Sequence, residues 1–289
     1  MPTFETVEPI FVTIEIVVGQ IRIIASERCD TVVSVSPSDA SKESDVRAAE
    51  QTRVEYNQGR LLIRAPKSWK QYRPFAGRES IDVAIELPEG SRVEGEAAVG
   101  DFRSDGRLGE TTFSTAVGNI RLDQSGPARL STSTGTVTVK RVDGRAEITG
   151  SGQVRIGEVD GQAVIKNLNG VTWIGEVKGD VRCNSANGDI TVDRALGAVA
   201  AKTAKGAVRI GEVVHGSVDL QTAYGELEVG IREGTAALLD VRSHFGSVRN
   251  SLAASEGPEP SDQTVDIHAR TSFGDIVIRR GPAAVGTQL

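Results

Sequence analysis

The stretch that decides the fold is Gly188-Asp-Ile-Thr-Val192, and its pattern returns at Gly118-Asn-Ile-Arg-Leu122, Gly135-Thr-Val-Thr-Val139 and Gly206-Ala-Val-Arg-Ile210. The glycines of this series follow one another at steps of 17 to 19 residues, and a second glycine series lies about half a period away. A unit this short that contains two strand-like segments is too small to fold alone. The sequence therefore predicts an all-β, single-stranded β-solenoid (β-helix) of about ten coils with a repeat of approximately 18 residues.

The repeat also predicts which side chains enter the core. The second and fourth residues after the first glycine are apolar, as at Ile190 and Val192, and the residue between them is polar, as at Thr191. Successive side chains of a strand point to opposite faces, so the apolar pair points inward. The same alternation follows the second glycine, and the inward positions fit either two flat faces or three shorter ones. The pattern leaves the handedness open.

One inward column of the repeat is polar. Its members share a position three residues before a glycine of the first series: Thr115, Thr132, Asn167, Ser185, Thr203, Thr222, Ser243 and Thr271. Like side chains in successive coils lie about 4.8 Å apart, within hydrogen-bonding reach. We therefore expect a hydrogen-bonded ladder of these side chains along the axis, and no catalytic serine or threonine among them.

Residues 1–90 are rich in strand patterns but lack the repeat, which predicts an N-terminal β-rich cap. Residues 10–18 and 21–25 flank Gly19-Gln20 and predict a hairpin, and residues 41–51 predict one short helix. Further strands are expected at residues 31–35, 52–56, 60–64 and 80–87. The basic and aromatic stretch 67–78 predicts an exposed loop. A cap of this kind covers the unpaired edge of a first coil.

The solenoid is expected at residues 91–280. The Pro-, Ser- and acid-rich segment 250–263 interrupts the repeat and predicts a loop inserted between the last two coils. In chain order the final coil would then end with Phe273-Gly-Asp-Ile-Val-Ile-Arg-Arg280, and residues 281–289 are expected to be a disordered tail.

Composition excludes several classes of protein. Charged residues make up 25% of the chain with a net charge of −6, so no nucleic-acid-binding footprint is indicated. The first residues alternate apolar and polar, as in a strand and not a signal peptide, and no apolar run is long enough to cross a membrane. We therefore expect a soluble, cytoplasmic protein without membrane insertion. Cys29 and Cys183 are expected to be free core thiols.

The sequence offers little chemistry. The three histidines occupy different columns of the repeat, and no HxH, HExxH or CxxC motif occurs, so we expect no metal site. No GxGxxG precedes a helix, so no nucleotide cofactor is expected. A sugar-cleaving β-helix would need paired carboxylates on one outer face. The available carboxylates are Asp189, Asp219, Glu226 and Asp240. Because they belong to different columns, we predict no catalytic residues and no enzyme.

Two surface features are candidates for binding. Glu158, Glu176 and Glu212 share one column, in the turn Ile-Gly-Glu-Val, where like charges repel unless a cation or a basic side chain pairs them. The preferred interpretation is that Arg155, Lys166 and Lys178 neutralise them.

The other feature is apolar. The alternation points Trp173 outward, and Val164 and Val171 flank it, which predicts an apolar contact patch. The alternative is that Arg155 stacks on the indole and shields it.

The repeated strands at residues 188–193 and 274–278, the NGDI sequence, the IGEV turns and the run EQTRVEYNQGRLLIRAP at residues 50–66 resemble the bacterial putative-adhesin family of β-strand-repeat proteins. The resemblance covers most of the chain. It implies a β-solenoid domain of unknown function with no established catalytic residues.

These observations favour a non-enzymatic β-solenoid that serves as an intracellular protein-interaction or scaffolding module. A protein partner or self-association is expected, because the apolar patch and a poorly covered end coil both invite contacts. An adhesin-like surface-binding module is the alternative, and a β-helix carbohydrate-active enzyme is the least favoured.

Overall fold

The computed structural model describes residues 1–66, 79–252 and 263–281, and the chain divides into two compact units, Met1–Asp143 and Gly144–Leu289. The first unit contains β1 (Thr3–Glu5), β2 (Phe11–Ser26), β3 (Asp30–Pro37), α1 (Glu43–Gln51), β4 (Arg53–Asn57), β5 (Arg60–Arg64), β6 (Ile81–Pro88), β7 (Arg92–Leu108), β8 (Thr111–Val117), β9 (Ile120–Ser125), β10 (Ala128–Thr134) and β11 (Val137–Val142). The second unit contains β12 (Ala146–Gly150), β13 (Val154–Val159), β14 (Ala163–Asn169), β15 (Thr172–Val177), β16 (Val181–Asn187), β17 (Ile190–Ala195), β18 (Val199–Lys205), β19 (Val208–Val213), β20 (Gly216–Tyr224), β21 (Leu227–Ile231), β22 (Thr235–Phe245), β23 (Val248–Asn250), β24 (Gln263–Phe273) and β25 (Ile276–Arg280).

The predicted all-β solenoid is confirmed. In the second unit each regular coil contributes two strands, and every strand pairs in parallel with its counterpart in the next coil. One ladder runs through β14, β16, β18 and β20, and the other through β13, β15, β17, β19 and β21. In the first unit β7, β8 and β10 form one ladder, and β7, β9 and β11 the other.

The core consists of the inward columns that the alternation predicts. In the second unit one column of fully buried side chains passes through six strands in register: Ile156, Ile174, Val192, Ile210, Val229 and Ile278. Branched aliphatic side chains suit this site because they pack against like neighbours on a pleated surface. Burial in such columns is the main driving force for stacking the coils.

The polar column does not form the expected ladder of like side chains. Seven of its eight members bond instead to the carbonyl of a glycine in the neighbouring coil: Thr132 Oγ1 donates to Gly118 O at 2.9 Å, and Thr222 Oγ1 donates to Gly206 O at 3.0 Å. The exception is Ser185, whose buried hydroxyl has no partner among the described residues. Glycine is required there, because a Cβ on Gly206, which has a φ of 147°, would lie 2.2 Å from Gly188 O. The threonine column and the glycine column are therefore two halves of one hydrogen-bonded corner.

The predicted N-terminal hairpin is wrong. Residues 11–26 form the single strand β2, which is bent at Gly19, and both halves of it pair in parallel with β7, from Phe11 opposite Arg92 to Ile24 opposite Asp105. Gly19 has a φ of 148°, like the corner glycines of the repeat. The Gly19-Gln20 pair that suggested a hairpin turn is therefore the corner of a coil.

The strand β2 lies between β7 on one side and the pair β5 and β6 on the other. On its far side from β7 it pairs in parallel with β5 and β6, although these strands precede β7 in the chain. Antiparallel strands then cover the outer layer, since β4 pairs with β5, and β3 with β6 and β1. The strands predicted in this region are confirmed within two residues of their ends, and so is the short helix, whose N-cap is Lys42. The cap boundary at residue 90 stays a prediction.

The last coils do not follow chain order. The strands β24 and β25, which come last in the chain, pair with β20 and β21 on one side and with β22 and β23 on the other. The corner bonds agree: Thr271 Oγ1 donates to Gly225 O at 3.1 Å, and Ser243 Oγ donates to Gly274 O at 2.8 Å. The coil that ends at Arg280 is therefore internal, and the expectation that it forms the exposed end is wrong.

Some predicted segments fall outside the described residues, namely 67–78 of the basic loop, 253–262 of the inserted loop and 282–289 of the tail. Gly281, the first tail residue, is described and donates its N–H to Ile231 O at 2.8 Å. Both cysteines are free, as expected, but Cys29 is exposed and only Cys183 lies in the core. Burial raises the pKa of the Cys183 thiol to about 12.

Candidate functional site

The surface with the clearest capacity to bind is the end coil of the second unit, β22 and β23, which we call the open edge. The strand β22 pairs with β24 on one side, and within residues 1–66, 79–252 and 263–281 it has no strand partner on the other. Gly274 N donates to Phe245 O at 3.0 Å, so Phe245 and alternate residues before it direct their backbone groups toward β24. The N–H and C=O groups of residues 236, 238, 240, 242 and 244 therefore point away from the sheet.

The open edge also exposes part of the core. Leu239 and Val241 occupy inward positions opposite Ile267 and Ala269 of β24, which are fully buried. Leu239 and Val241 are only half-buried, because no further coil covers them among the described residues. Half-covered aliphatic side chains of an end coil favour the binding of another strand.

An aromatic column runs up to this edge. Tyr224, Phe273 and Phe245 lie in register on β20, β24 and β22, and each immediately precedes a corner glycine. Their rings stack nearly parallel, with centroids 4.9 Å and 4.8 Å apart. Phe245 is 63% exposed, and it is the last ring of the column. The column could accept one more ring from an added strand.

Charges on the outer face of β22 are arranged around Asp240. Its carboxylate lies 3.2 Å from the Arg242 guanidinium, 3.3 Å from that of Arg270 and 3.6 Å from His268 Nδ1. The hydrogen bond from Arg270, with help from Arg242, holds the pKa of the Asp240 carboxyl below its ordinary value. Asp240 is therefore ionised at neutral pH, and an acidic and a basic side chain lie two residues apart on the edge strand.

The predicted apolar patch is not assembled. Val164 lies in β14, where its neighbours across the ladder include Arg182, whereas Trp173 lies in β15 on the other ladder. Val171 is 45% exposed at the corner between the two strands. The separation arises because each coil places two strands on two different faces.

Trp173 is shielded as the alternative interpretation proposed. The Arg155 guanidinium lies 4.4 Å from the centre of the indole, whose Nε1 donates to Asp193 Oδ1 at 3.2 Å. A Cβ on Gly175 would lie 3.2 Å from the edge of the ring, so the indole covers this glycine. Arg155, Asp193 and Gly175 together occupy the surface that a contact patch would need.

The predicted glutamate column exists, and Arg194, which was not expected, helps Lys178 to neutralise it. Glu158 lies opposite Glu176, and Arg194 then separates Glu176 from Glu212 along the ladder. Arg194 lies 3.4 Å from Glu176 and 3.3 Å from Glu212, and Lys178 lies 3.8 Å from Glu158. Of the three basic residues expected here, Lys178 lies within ion-pair distance of Glu158, and the Arg155 guanidinium stacks on Trp173. The column is a network of ion pairs.

The four carboxylates that could have formed a glycosidase pair have other partners. Asp189 Oδ1 accepts the N–H of Ala207 at 2.8 Å at the next corner, and Glu226 lies 3.8 Å from Arg209. Asp219 and Asp240 share a ladder, but His268 lies between them. Within the described part of the chain, no cluster of three or more His, Cys, Asp or Glu side chains suits a metal ion.

The first unit contains a cleft, which is a second candidate for binding besides the open edge. It has a volume of about 510 Å³, and its described lining is Gln51, Arg53, Arg64, Ala65 and Pro66. Two hydrogen bonds, of 2.7 and 3.0 Å, hold Arg64 to Glu15. Within the cleft, the Arg64 guanidinium is therefore already occupied by the Glu15 carboxylate.

Sequence reasoning missed the open edge because it assumed that coils stack in chain order. A usable signal was present: aromatic residues precede the glycines at Tyr224-Gly225, Phe245-Gly246 and Phe273-Gly274, and nowhere earlier in the glycine series. These three pairs identify neighbouring coils. They do not identify which of the three lies at the end.

A known family covers most of the chain. The family model described as Toastrack DUF4097 matches residues 11–279. The chain is similar to the structure of a putative adhesin from Bacteroides fragilis NCTC 9343, at 12% identity and a TM-score of 0.37 over 96% of this chain and 95% of that one. It is also similar to a putative lipid binding protein from Parabacteroides distasonis ATCC 8503, at 13% identity and a TM-score of 0.32 over 95% of each chain. No curated protein matches. No α-helix in the described ranges has the length and apolar character needed to span a bilayer.

Proposed function

Because the chain belongs to the Toastrack DUF4097 family of β-solenoid domains of unknown function, we propose that it is a non-enzymatic binding module that holds a protein partner at its open edge. The family match also confirms the resemblance to the putative-adhesin family of β-strand-repeat proteins. The family supplies a scaffold. The choice of partner and surface rests on the second unit.

The observation that carries the proposal is the unpaired side of β22. Five of its residues direct backbone N–H and C=O groups away from the sheet, next to half-buried Leu239 and Val241. An extended segment can add to such an edge, using backbone hydrogen bonds for affinity and alternate side chains for specificity. Each hydrogen bond contributes about 1 kcal/mol, so the affinity at this edge depends on the added burial of Leu239 and Val241 as well as on the backbone bonds.

Two further features support the proposal: the free thiols bear on its location inside the cell, and the contacts of the shifted carboxyl groups bear on the lack of catalytic residues. Cys29 is exposed and Cys183 is buried, and both thiols are free, as is common for proteins of a reducing compartment. Shifted carboxyl groups are explained by structural contacts, since Ser247 N–H lowers the pKa of Asp275 and Arg270 lowers that of Asp240. The proposal is therefore a cytoplasmic interaction module without catalytic residues. An adhesin-like module would use the same edge against a partner outside the cell.

The test blocks the backbone of the edge without unfolding the protein. Arg242 directs its N–H outward, so Arg242→Pro removes a donor that no neighbouring strand uses among the described residues. The matched control, Arg242→Ala, loses the same side chain but keeps the N–H. The parent and both variants are immobilised, and proteins retained from a lysate of the native host are quantified by mass spectrometry.

We expect a set of proteins that the parent and Arg242→Ala retain and Arg242→Pro loses. Melting temperatures within a few degrees of the parent establish that both variants are folded. Retention of the same proteins by all three baits would contradict binding at the open edge. Cell fractionation with an antibody then tests the cytoplasmic location, and recovery of the protein on the cell surface would favour the adhesin-like alternative.

A further inference from the structure

We propose that the partner at the open edge is a second copy of this chain, whose β22 pairs in antiparallel orientation with the first β22, centred on Val241. The inference rests on the proposed function, because it names the occupant of the same edge. It follows from the charges and the alternation of β22.

Symmetry limits how two identical edges can meet. A two-fold axis normal to the sheet makes the two β22 strands antiparallel and keeps inward side chains on the same side in both copies. The backbone groups that point outward belong to residues 236, 238, 240, 242 and 244, so these residues must face one another across the axis. The axis can then pass through any one of the central residues of the strand.

The charges select among these registers. With the axis at Val241, Asp240 lies opposite the partner's Arg242, and Arg242 lies opposite the partner's Asp240. With the axis one residue earlier, Asp240 meets the partner's Asp240, and one residue later Arg242 meets the partner's Arg242. Directly opposed like charges destabilise a strand pair, and opposite charges stabilise it. The register centred on Val241 is therefore self-complementary.

The same register improves apolar burial. Val241 meets the partner's Val241 at a position where the backbone bonds point away, which is the closer type of antiparallel pair. Ala237 lies opposite the partner's Phe245, so a small side chain leaves room beside the exposed ring at the end of the aromatic column. Val241, which the end coil leaves half-buried, is thereby covered by the identical side chain of the partner.

A disulfide can trap this register. In a protein whose exposed Cys29 is replaced by Ser, Val241→Cys places two thiols across the axis, where the Cα atoms of the closer antiparallel pair lie about 4.5 Å apart, within disulfide range. Leu239→Cys is the matched control, because Leu239 lies opposite the partner's Ser243. We expect a covalent dimer from Val241→Cys under mild oxidation, and at most a trace from Leu239→Cys.

Charge reversal tests the same register without cross-linking. Light scattering during size-exclusion chromatography from about 1 to 100 µM should show a parent dimer. Asp240→Arg and Arg242→Asp should each weaken the dimer at least about tenfold, because two symmetry-related pairs change from opposite to like charge. The double variant Asp240→Arg/Arg242→Asp should restore it. Arg182→Asp, an exposed and outward reversal on β16, should have no effect.

The outcomes separate this inference from the proposed function. A parent that stays monomeric and gives no Val241→Cys cross-link overturns self-pairing, and so does a dimer that survives Arg242→Pro. If Arg242→Pro then still abolishes retention of another protein, strand addition at the open edge stands with a different occupant. If Arg242→Pro changes neither assembly nor retention, the proposed function fails as well.

Discussion

Single residues in this protein act through the coil above or below them. The threonines of the polar column illustrate this, since each hydroxyl bonds to a glycine carbonyl that comes from another coil. The sequence showed both columns, but the bond between them could not be read from it. A hydroxyl group can donate its hydrogen bond equally well to another hydroxyl or to a backbone carbonyl. Only the position of the corner carbonyl distinguishes them.

The first prediction at this scale concerns Arg194. Removing its charge in Arg194→Met leaves the mostly buried Glu212 carboxylate without its ion pair, at a cost of about 1–3 kcal/mol. Adding Glu212→Gln should recover much of that loss, because no buried charge then remains unpaired. Urea unfolding measures both changes. Lys178→Met, which breaks a more exposed pair, serves as the control and should cost no more than about 1 kcal/mol. A double variant no more stable than Arg194→Met would contradict this account.

At the scale of strands and coils, the periodicity of the sequence predicted the inward side chains, whereas the order of the coils in the sequence did not predict how they stack. The alternation placed the inward columns correctly, because it is a local property of the sequence. The predicted hairpin at Gly19 and the predicted exposed final coil were both wrong, because the local pattern does not show which strands pair with each other. A coil of this solenoid carries the same inward pattern wherever it stacks, so Ile267 and Leu239 are equally acceptable neighbours for Val218.

The inserted coil predicts an unusual pattern of amide hydrogen exchange. Because β24 lies between β20 and β22, its amides should exchange at least about tenfold more slowly than those of β22, although β24 is nearer the end of the chain. Exchange measured by mass spectrometry on peptides from residues 235–245 and 263–273 tests this. Faster exchange in β24 than in β22 would indicate coils stacked in chain order.

At the scale of the whole molecule, each unit contains one strand that lies between strands distant from it in the sequence. In the first unit β2 lies between β7 and the layer of β5 and β6. In the second unit β24 lies between β20 and β22. The family and fold could be predicted from the repeat. The binding surface could not, because it depends on which coil is outermost.

Removal of the last coil tests how interchangeable the coils are. In a chain that ends at residue 252, β22 can pair directly with β20, since both present apolar, apolar and hydroxyl side chains before an aromatic–glycine pair. We expect a folded protein by circular dichroism with a melting temperature lower by several degrees, because one coil of apolar burial is lost. Complete loss of β structure would show that β22 depends on β24 specifically.

The inserted coil also sets the order in which the protein can be completed during synthesis. Residues 235–250 leave the ribosome before residues 263–281, yet the later segment occupies the rung between the earlier one and β20. A nascent chain must therefore either hold a vacant rung or pair β22 provisionally with β20 and release it later. Residues 263–281, which are translated after residues 235–250, close the stack from within, so a chain terminated between these two segments lacks the inner rung and not the outermost one.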